Sequence, residues 1–577
     1  MAEVSRGSDG PSGSDGPVAG SVSAKTLRRV AVLLLLHLSM LAYVAVGNAP
    51  VCDEVAHLTA GFHHWRTGHF WLYRVNPPLV KLVASLPAAL GSPAEDWSRA
   101  TDGPGVRSEF DVGRDFLTAN RPEGHWYHTA GRLLCLPFTV FGGWMCFVWA
   151  NALYGERSGL LACALWCFSP TVLGWGSTFT PDAAATSFGL AAAYRFRGWL
   201  LEGSWRSALT AGLSLGVALL CKTTWVVLFV VWPVLAVVWV RRRGGSIRRG
   251  VRASQLLALF CCAVYVMNVG YGFERTCERL GDFDFVSQVL NGRDGFGTGN
   301  RFRGTILGRL PVPLPANYIR GVDLQKLDFE RGMDSFLFGR WSDRGWWYYY
   351  PVAASLKMPV GTIGLVILSA AFPPLRRRRR TPGLDELALF VPALTVFVLV
   401  CSQTGFGRYV RYLLPCLPAA FVFASRLAAR KRSAWVRAAA ACLVVWSVGG
   451  SLWAYPHSMS YFNELAGGPG GGHRYLLDAN VDWGQDVLRL RNWARENPSK
   501  RPLFAATTGF VSPYQVGLES TWPRKLGAEV GDGFEPEPGW YAISVHELFQ
   551  RHEYYVYLRK YPVVDRVGFS IWVIRVD

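Results

Sequence analysis

Val30-Ala-Val-Leu-Leu-Leu-Leu-His-Leu-Ser-Met-Leu-Ala-Tyr-Val-Ala-Val46, followed by Gly47-Asn-Ala-Pro-Val-Cys-Asp53-Glu54, is the stretch whose reading decides the fold. The run is almost wholly apolar and is preceded by Lys25, Arg28 and Arg29. Apolar length of this kind suits the hydrocarbon core of a bilayer, and basic residues at one end favour the cytoplasmic side. The run therefore predicts a membrane helix that delivers Asp53 and Glu54 to the outer face. A secretory signal peptide is the competing reading, but the length of the run and the carboxylates beyond it favour an uncleaved span. Acids at the lip of a span are candidates for chemistry on something held in the membrane. The alternatives are a solvated interfacial pair, or an N-cap of an outer-face helix, and the capping role is compatible with the chemical one.

Composition points the same way. Of 577 residues, 50% are apolar and 14% aromatic, with 24 tryptophans, which favours a multi-span membrane protein over a soluble enzyme. The net charge of +19 invites a nucleic-acid reading, but its distribution excludes it. The basic residues cluster between apolar segments, in Arg241 to Arg243 with Arg248, Arg249 and Arg252, in Arg376 to Arg380, and in Arg426, Arg430, Lys431, Arg432 and Arg437. That is the pattern of cytoplasmic loops.

Apolar segments near 29–47, 130–150, 158–178, 182–200, 206–221, 223–240, 253–271, 351–373, 386–403, 409–428 and 434–454 predict a mainly α, polytopic helical bundle of about eleven spans. Those between 182 and 240 are short, closely spaced and interrupted by Arg195, Arg197 and Lys222. With the N-terminus inside, all three basic clusters fall in the cytoplasm. Residues 1–24 are Gly- and Ser-rich and read as a disordered cytoplasmic tail. Residues 25–455 form the membrane domain, with outer loops 48–129 and 272–350. Residues 456–577 read as a small extracytoplasmic α/β domain, with a helix over Asp486 to Glu496 and strands over Pro502–Thr507, Trp540–Val545 and Phe569–Val576. Its Gly-rich run Gly467 to Gly472 lacks the Lys-Ser/Thr of a phosphate-binding P-loop.

The twelve cysteines lie mostly in apolar segments and form no CxxC. Cys52 and Cys277 both fall outside, where a disulfide between them is chemically open. His57, His63, His64 and His69 crowd the first outer loop, with His125 and His128 just before the second span. They are candidate ligands for a divalent ion, but no tight ligand spacing is present, so no metal or other cofactor is expected to be required. Trp65, Trp71 and Tyr73 suit either stacking on a sugar or anchoring at the interface, and Trp346 to Tyr350 read as an interfacial belt.

Several landmarks together carry a family resemblance: Asp53-Glu54 after the first span, the series Gly61, Gly68 and Asn76-Pro-Pro-Leu79, Ser169-Pro170, Thr180-Pro181-Asp182, and Arg408-Tyr409 with Arg411-Tyr-Leu-Leu-Pro415. In order and placement they resemble the GT-C superfamily of integral-membrane glycosyltransferases, in the branch of the dolichyl-phosphate-mannose protein mannosyltransferases and lipid A aminoarabinose transferases. The resemblance covers roughly Val30 to Tyr455. The segments Tyr461-Phe-Asn-Glu-Leu465 and Asp478-Ala-Asn-Val-Asp-Trp-Gly-Gln-Asp486 look like tails of some bacterial members, with no role attached.

The resemblance implies inverting transfer of a mannose-like or other hexose or pentose sugar from a polyprenyl-phosphate carrier to a protein, lipid or glycan acceptor. The setting it implies is the outer face of a bacterial cytoplasmic membrane. An acceptor hydroxyl is a poor nucleophile and needs a base within hydrogen-bond reach. By similarity Asp53 is that base, Glu54 supports it or positions the acceptor, and Asp182 approaches Asp53 or caps its own helix. A departing lipid phosphate needs cationic stabilisation. Arg408, Arg411, Arg74, Lys81 and Lys222 are the candidates, with interfacial snorkelling as the alternative for Arg408 and Arg411. Asn76 stands where the aminoarabinose transferases carry a lysine, which puts phosphate binding there in doubt. A transporter or flippase of a lipid-linked substrate is the second function class, and an inactive membrane scaffold the third. Acids gathered on one face with no apparent inverted repeat disfavour transport.

Overall fold

The computed structural model describes residues 22–243, 249–372, 384–429, 433–531 and 533–577. Most of the expected N-terminal tail, Arg376 to Arg380, and Arg430 to Arg432 lie outside them.

In chain order the first helices are α1 (Ala24–Gly47), α2 (Cys52–Thr67), α3 (Pro78–Leu90), α4 (Glu109–Ala119), α5 (His125–Tyr154), α6 (Glu156–Cys167), α7 (Pro170–Gly176), α8 (Pro181–Glu202), α9 (Trp205–Cys221), α10 (Leu228–Arg243) and α11 (Arg249–Gly270). Each of the eleven expected spans is met by a helix or a helix pair. Among the described residues, seven are long and apolar enough to cross a bilayer. The total becomes nine if the bent pairs α6 with α7 and Tyr349–Lys357 with Val360–Ala371 are one span each. The other two are α8 and α9, and α9 is classed with the shorter apolar helices. Val32, Leu35, Val230, Val234, Leu257, Val398 and Val445 project outward from these helices. Apolar residues on the outside as well as the inside mark helices that face lipid. The protein is an integral membrane protein of mainly α architecture.

The bundle packs around α5, α8 and α9, with the rings of Trp149, Trp166, Trp199 and Trp232 almost fully buried. Residues 48–129, expected as an outer loop, carry the three helices α2, α3 and α4 and the start of α5. Of these, α2 and α3 lie so close that a Cβ on Gly61 would come 2.1 Å from the Lys81 carbonyl oxygen. Only glycine allows that approach. The apolar helix α3 is too short to span and was not anticipated in the sequence.

Strands β1 (Ser335–Leu337) and β2 (Arg340–Ser342) form a small hairpin. After the helix Ala434–Ala454 the chain makes a four-stranded sheet of β3 (Leu503–Ala506), β4 (Gly539–Ser544), β5 (Val563–Val567) and β6 (Ile571–Val576), in the order β3-β4-β6-β5. β3 pairs parallel with β4, and the other pairs are antiparallel. The expected helix is Val487–Glu496, three of the strands match expectation, and β5 is additional. Alternation divides the sheet into two apolar faces. Ala505, Ala542 and Val573 pack with Leu490 and with Val55 of α2 and Leu117 of α4, so this face shares one core with residues 48–129. Phe504, Tyr541 and Ile574 fill the other.

Two sequence readings change here. Tyr349 and Tyr350 are 1% and 2% exposed, and the Tyr350 hydroxyl donates to the Phe406 carbonyl, so only part of the aromatic run can lie at an interface. Cys52 and Cys277 are both free thiols.

Candidate active site

Asp53 sits in the first turn of α2 and Asp182 in the first turn of α8, where the positive end of each helix favours a carboxylate. Proline at the first position of α8 fixes its start. Lys222 caps the C-terminus of α9 in an extended conformation, at the break before the 3-10 turn Thr223–Val227. Arg411 lies in the 3-10 segment Val410–Cys416.

These four residues form one alternating line of charge. Arg411 donates from Nη2 to Asp53 Oδ2 at 2.7 Å, and its Nε lies 3.6 Å from Asp182 Oδ2. Lys222 Nζ donates to Asp182 Oδ1 at 2.5 Å. The Arg411 side chain is 5% exposed and that of Asp53 is 18% exposed, so the line is sunk in the protein with Asp53 at its open end. Around the guanidinium stand Trp483 at 4.3 Å, Tyr409 at 4.7 Å, Trp175 at 5.2 Å and Tyr412 at 5.6 Å, measured to ring centroids. Cation–π contacts strengthen when desolvated, as they are here. Among the described residues Arg411 Nε and Nη1 find no hydrogen-bond partner. A buried guanidinium with two spare donors is prepared for an oxyanion.

Beside the line is a cavity of about 370 Å³. Lys222 and Tyr412 stand in its wall, and the rest is largely apolar, with Val226, Phe329, Val396 and Leu399 among the lining residues.

His57 of α2 is fully buried against Tyr73, and among the described residues both its ring nitrogens lack a hydrogen-bond partner. Burial first, then the charges of Lys81, Arg411 and Lys222, hold its imidazole well below the usual histidine range. It is neutral at physiological pH.

Residues 125–268 match the family model described as dolichyl-phosphate-mannose-protein mannosyltransferase. The match covers about a quarter of the chain and is a similarity to that family over those residues. The matched stretch carries Trp175, Asp182 and Lys222, while Asp53 and Arg411 lie to either side of it. A search of curated proteins finds no match. Among solved structures, ArnT from Cupriavidus metallidurans in the apo state aligns at 15% identity and a TM-score of 0.43, covering 96% of this chain and 98% of that one. The same protein bound to undecaprenyl phosphate aligns at 13% identity, with the same TM-score and coverage. The archaeal oligosaccharyltransferase AglB from Archaeoglobus fulgidus, in complex with an inhibitory peptide and a dolichol-phosphate, aligns at 12% identity and a TM-score of 0.41, covering 74% of this chain and 55% of that one.

Of the residues singled out in the sequence, Asp53, Asp182, Lys222 and Arg411 come together and the others do not. Glu54, expected to support Asp53 or the acceptor, is fully buried in an ion pair with Arg132 of α5. Its Oε1 accepts from Arg132 Nε and the Phe179 N–H, and its Oε2 from Arg132 Nη2 and the Val51 N–H. With two donors on each oxygen, the carboxylate is saturated and holds α2, α5 and the loop before α8 together. It performs the capping role for α2. Arg408 pairs with Asp478 instead of facing Asp53. Arg74 is bound by Asp102 and Asn317 at a separate polar cavity of about 320 Å³. Lys81 donates to the Tyr73 carbonyl at 2.7 Å, and burial pushes its ammonium down to about 7, against the pull of Glu109. Asn76 is 9% exposed and precedes the prolines that open α3.

The loop histidines are spread through the packing: His63 meets Trp71, His64 meets Phe70 and His128 meets Phe179. Among the described residues no group of three or more His, Cys, Asp or Glu is gathered as for a metal. Trp65 is half exposed and Tyr73 is buried. Sequence reasoning missed Arg132, Trp175 and Trp483. Arg132 did carry a signal, a charge inside the apolar run of α5.

Proposed function

We propose that this protein transfers a sugar from a polyprenyl-phosphate carrier to an acceptor hydroxyl at the outer face of a bacterial cytoplasmic membrane, with inversion at the sugar carbon. One observation carries the reading: Lys222 belongs both to the buried line of charge and to the wall of the apolar cavity. A ligand with an anionic head and a long apolar tail matches that junction.

In this reading the tail lies along the cavity and the phosphate meets Lys222 and the spare Nε and Nη1 donors of Arg411. Asp53 Oδ2 is held by Arg411, and among the described residues Oδ1 meets no donor. That free oxygen takes the acceptor proton as the hydroxyl oxygen bonds to the anomeric carbon. The bond from that carbon to the phosphate oxygen breaks, and its electron pair leaves on the phosphate. The two cations neutralise the charge that develops there, in a site from which rings exclude water. Arg411 therefore acts at both ends of the reaction, orienting the base and gripping the leaving group. Asp182 holds Lys222 and Arg411 in place. The scheme uses protein groups alone and needs no metal ion. The similarity of residues 125–268 to the dolichyl-phosphate-mannose-protein mannosyltransferase model supports glycosyl transfer, with a protein, lipid or glycan as acceptor.

Mass spectrometry of glycoproteins, glycolipids and envelope glycans from cells with and without the chain tests this. One or more sugar additions are expected to disappear with the gene and to return with the wild-type chain. Identical glycan profiles, together with transport of a lipid-linked sugar, would replace transfer by the flippase reading.

A further inference from the structure

We propose that residues 478–486 of the C-terminal region are the roof of this site, and that Trp483 is a positioning residue holding Arg411 against Asp53. The proposal rests on the function given above for Arg411.

The segment Asp478-Ala-Asn-Val-Asp-Trp-Gly-Gln-Asp486 follows the last apolar helix, yet it is buried almost throughout. It touches both halves of the Asp53–Arg411 pair. On the Asp53 side, the Cys52 N–H donates to the Trp483 carbonyl at 3.3 Å and the Ala49 N–H to the Gln485 carbonyl at 2.8 Å. These bonds tie down the turn between α1 and α2 that aims Asp53. On the Arg411 side, Asn480 Nδ2 donates to the Arg408 carbonyl at 2.6 Å, and Asn480 Oδ1 accepts from the Val410 N–H at 3.2 Å. Asp478 takes the Arg408 guanidinium. Lys357 then donates to the Asn480 carbonyl at 2.6 Å and fixes the segment from beneath.

Between these two sets of bonds Trp483 lays its ring on the Arg411 guanidinium, the shortest of the four ring contacts, and meets Trp175 edge-on at 5.1 Å. The segment is built to keep this shape. Gln485 Oε1 accepts from the Trp483 N–H, and Asp482 accepts from the Gly484 N–H and from the Ser544 hydroxyl of β4. Gly484 has φ +88°, and a Cβ there would stand 2.9 Å from the Thr508 carbonyl oxygen. A guanidinium hydrogen-bonded only through Nη2, with Asp182 no nearer than 3.6 Å to Nε, can pivot about that bond. A flat ring against its face removes the pivot and leaves the free donors aimed at one place.

Hydrogen exchange on the full-length chain in detergent decides the structural half. Trp483→Ala should speed exchange in residues 49–54 and 408–413 by about tenfold. The sheet strands should be unchanged, and Trp483→Phe should stay near wild type. Unchanged exchange at those two segments, or an equal rise in the sheet, would overturn the roof.

Binding of undecaprenyl phosphate by the same proteins, read by native mass spectrometry, decides the rest. Trp483→Ala and Arg411→Ala should each weaken it about tenfold, and the double variant should bind no worse than Arg411→Ala alone. Losses that multiply would make Trp483 a general packing residue. If Arg411→Ala alone left binding intact, the phosphate role given to Arg411 would fall, and exchange would still decide the roof.

Discussion

Arg411 Nη2 and Asp53 Oδ2 meet at 2.7 Å although 358 positions separate them in the chain. The contact joins the first helix beyond the first span to the 3-10 segment before Leu417–Ser425, and it brings together two landmarks that each look ordinary in the sequence.

Asp53→Asn keeps the shape and the hydrogen bond to Arg411 but removes the base. Glycan transfer by this variant should fall by a factor of about 10² to 10⁴. Extraction, monodispersity and melting should stay as in wild type, and full activity would eliminate Asp53 as the base.

Glu54→Gln tests stability instead of chemistry. Breaking one side of a buried, fully bonded ion pair costs about 3–5 kcal/mol. The variant should melt well below wild type or fail to accumulate, and Arg132→Met should do the same. If Glu54→Gln melted normally and lost only transfer, the residue would return to the catalytic group.

Lys222→Met preserves bulk at the cavity wall while removing the charge. The expected outcome is weaker donor use, seen as a raised KM for polyprenyl-phosphate sugar, with partial loss of kcat. An unchanged KM would separate the cavity from the donor.

Asp482 gives the stability a pH dependence. Burial first, then Asp486 and Glu547, push its carboxyl up to about 7, against the Ser544 hydroxyl and the Gly484 N–H. The unfolded carboxyl releases its proton near pH 4. Between about pH 4 and 7 the folded chain therefore holds a proton that the unfolded chain has lost. Stability falls as pH rises through that window, by at most ~1.4 kcal/mol per unit, and levels off above it. Melting curves across the window should slope for wild type and flatten in Asp482→Asn. Parallel curves would show that Asp482 is already ionised.

Gly61→Ala should destabilise by about 1–3 kcal/mol, because the new methyl would have to displace both the Lys81 carbonyl and the Ser85 hydroxyl. A variant with an unshifted melting temperature would mean that α2 and α3 separate easily.

The helices were legible because apolar length is a local property, and the eleven expected segments each found one. α3 was not, since thirteen residues with a proline inside do not look like a span and carry no polar alternation. Asp53, Asp182, Lys222 and Arg411 were legible as charges at span ends, but their order in space was not, because pairing across the bundle leaves no mark in local sequence. Glu54 was drawn into the site by its neighbour. On a helix, adjacent residues point in different directions, and Glu54 turns toward Arg132 while Asp53 faces Arg411. Trp483 sat in a segment already noted, in a region that read as a separate domain, so nothing linked it to the membrane charges.

The roof also sets the order in which the protein becomes competent during synthesis. Asp53 leaves the ribosome early, Arg411 much later and Trp483 later still, so the carboxylate waits through most of translation without its partner. Spans inserted from an interrupted message would carry the base and the cavity and still lack the piece that aligns them. In the proposed reading, a chain cut short before residue 478 would have both carboxylates and the cavity but no ring laid on Arg411.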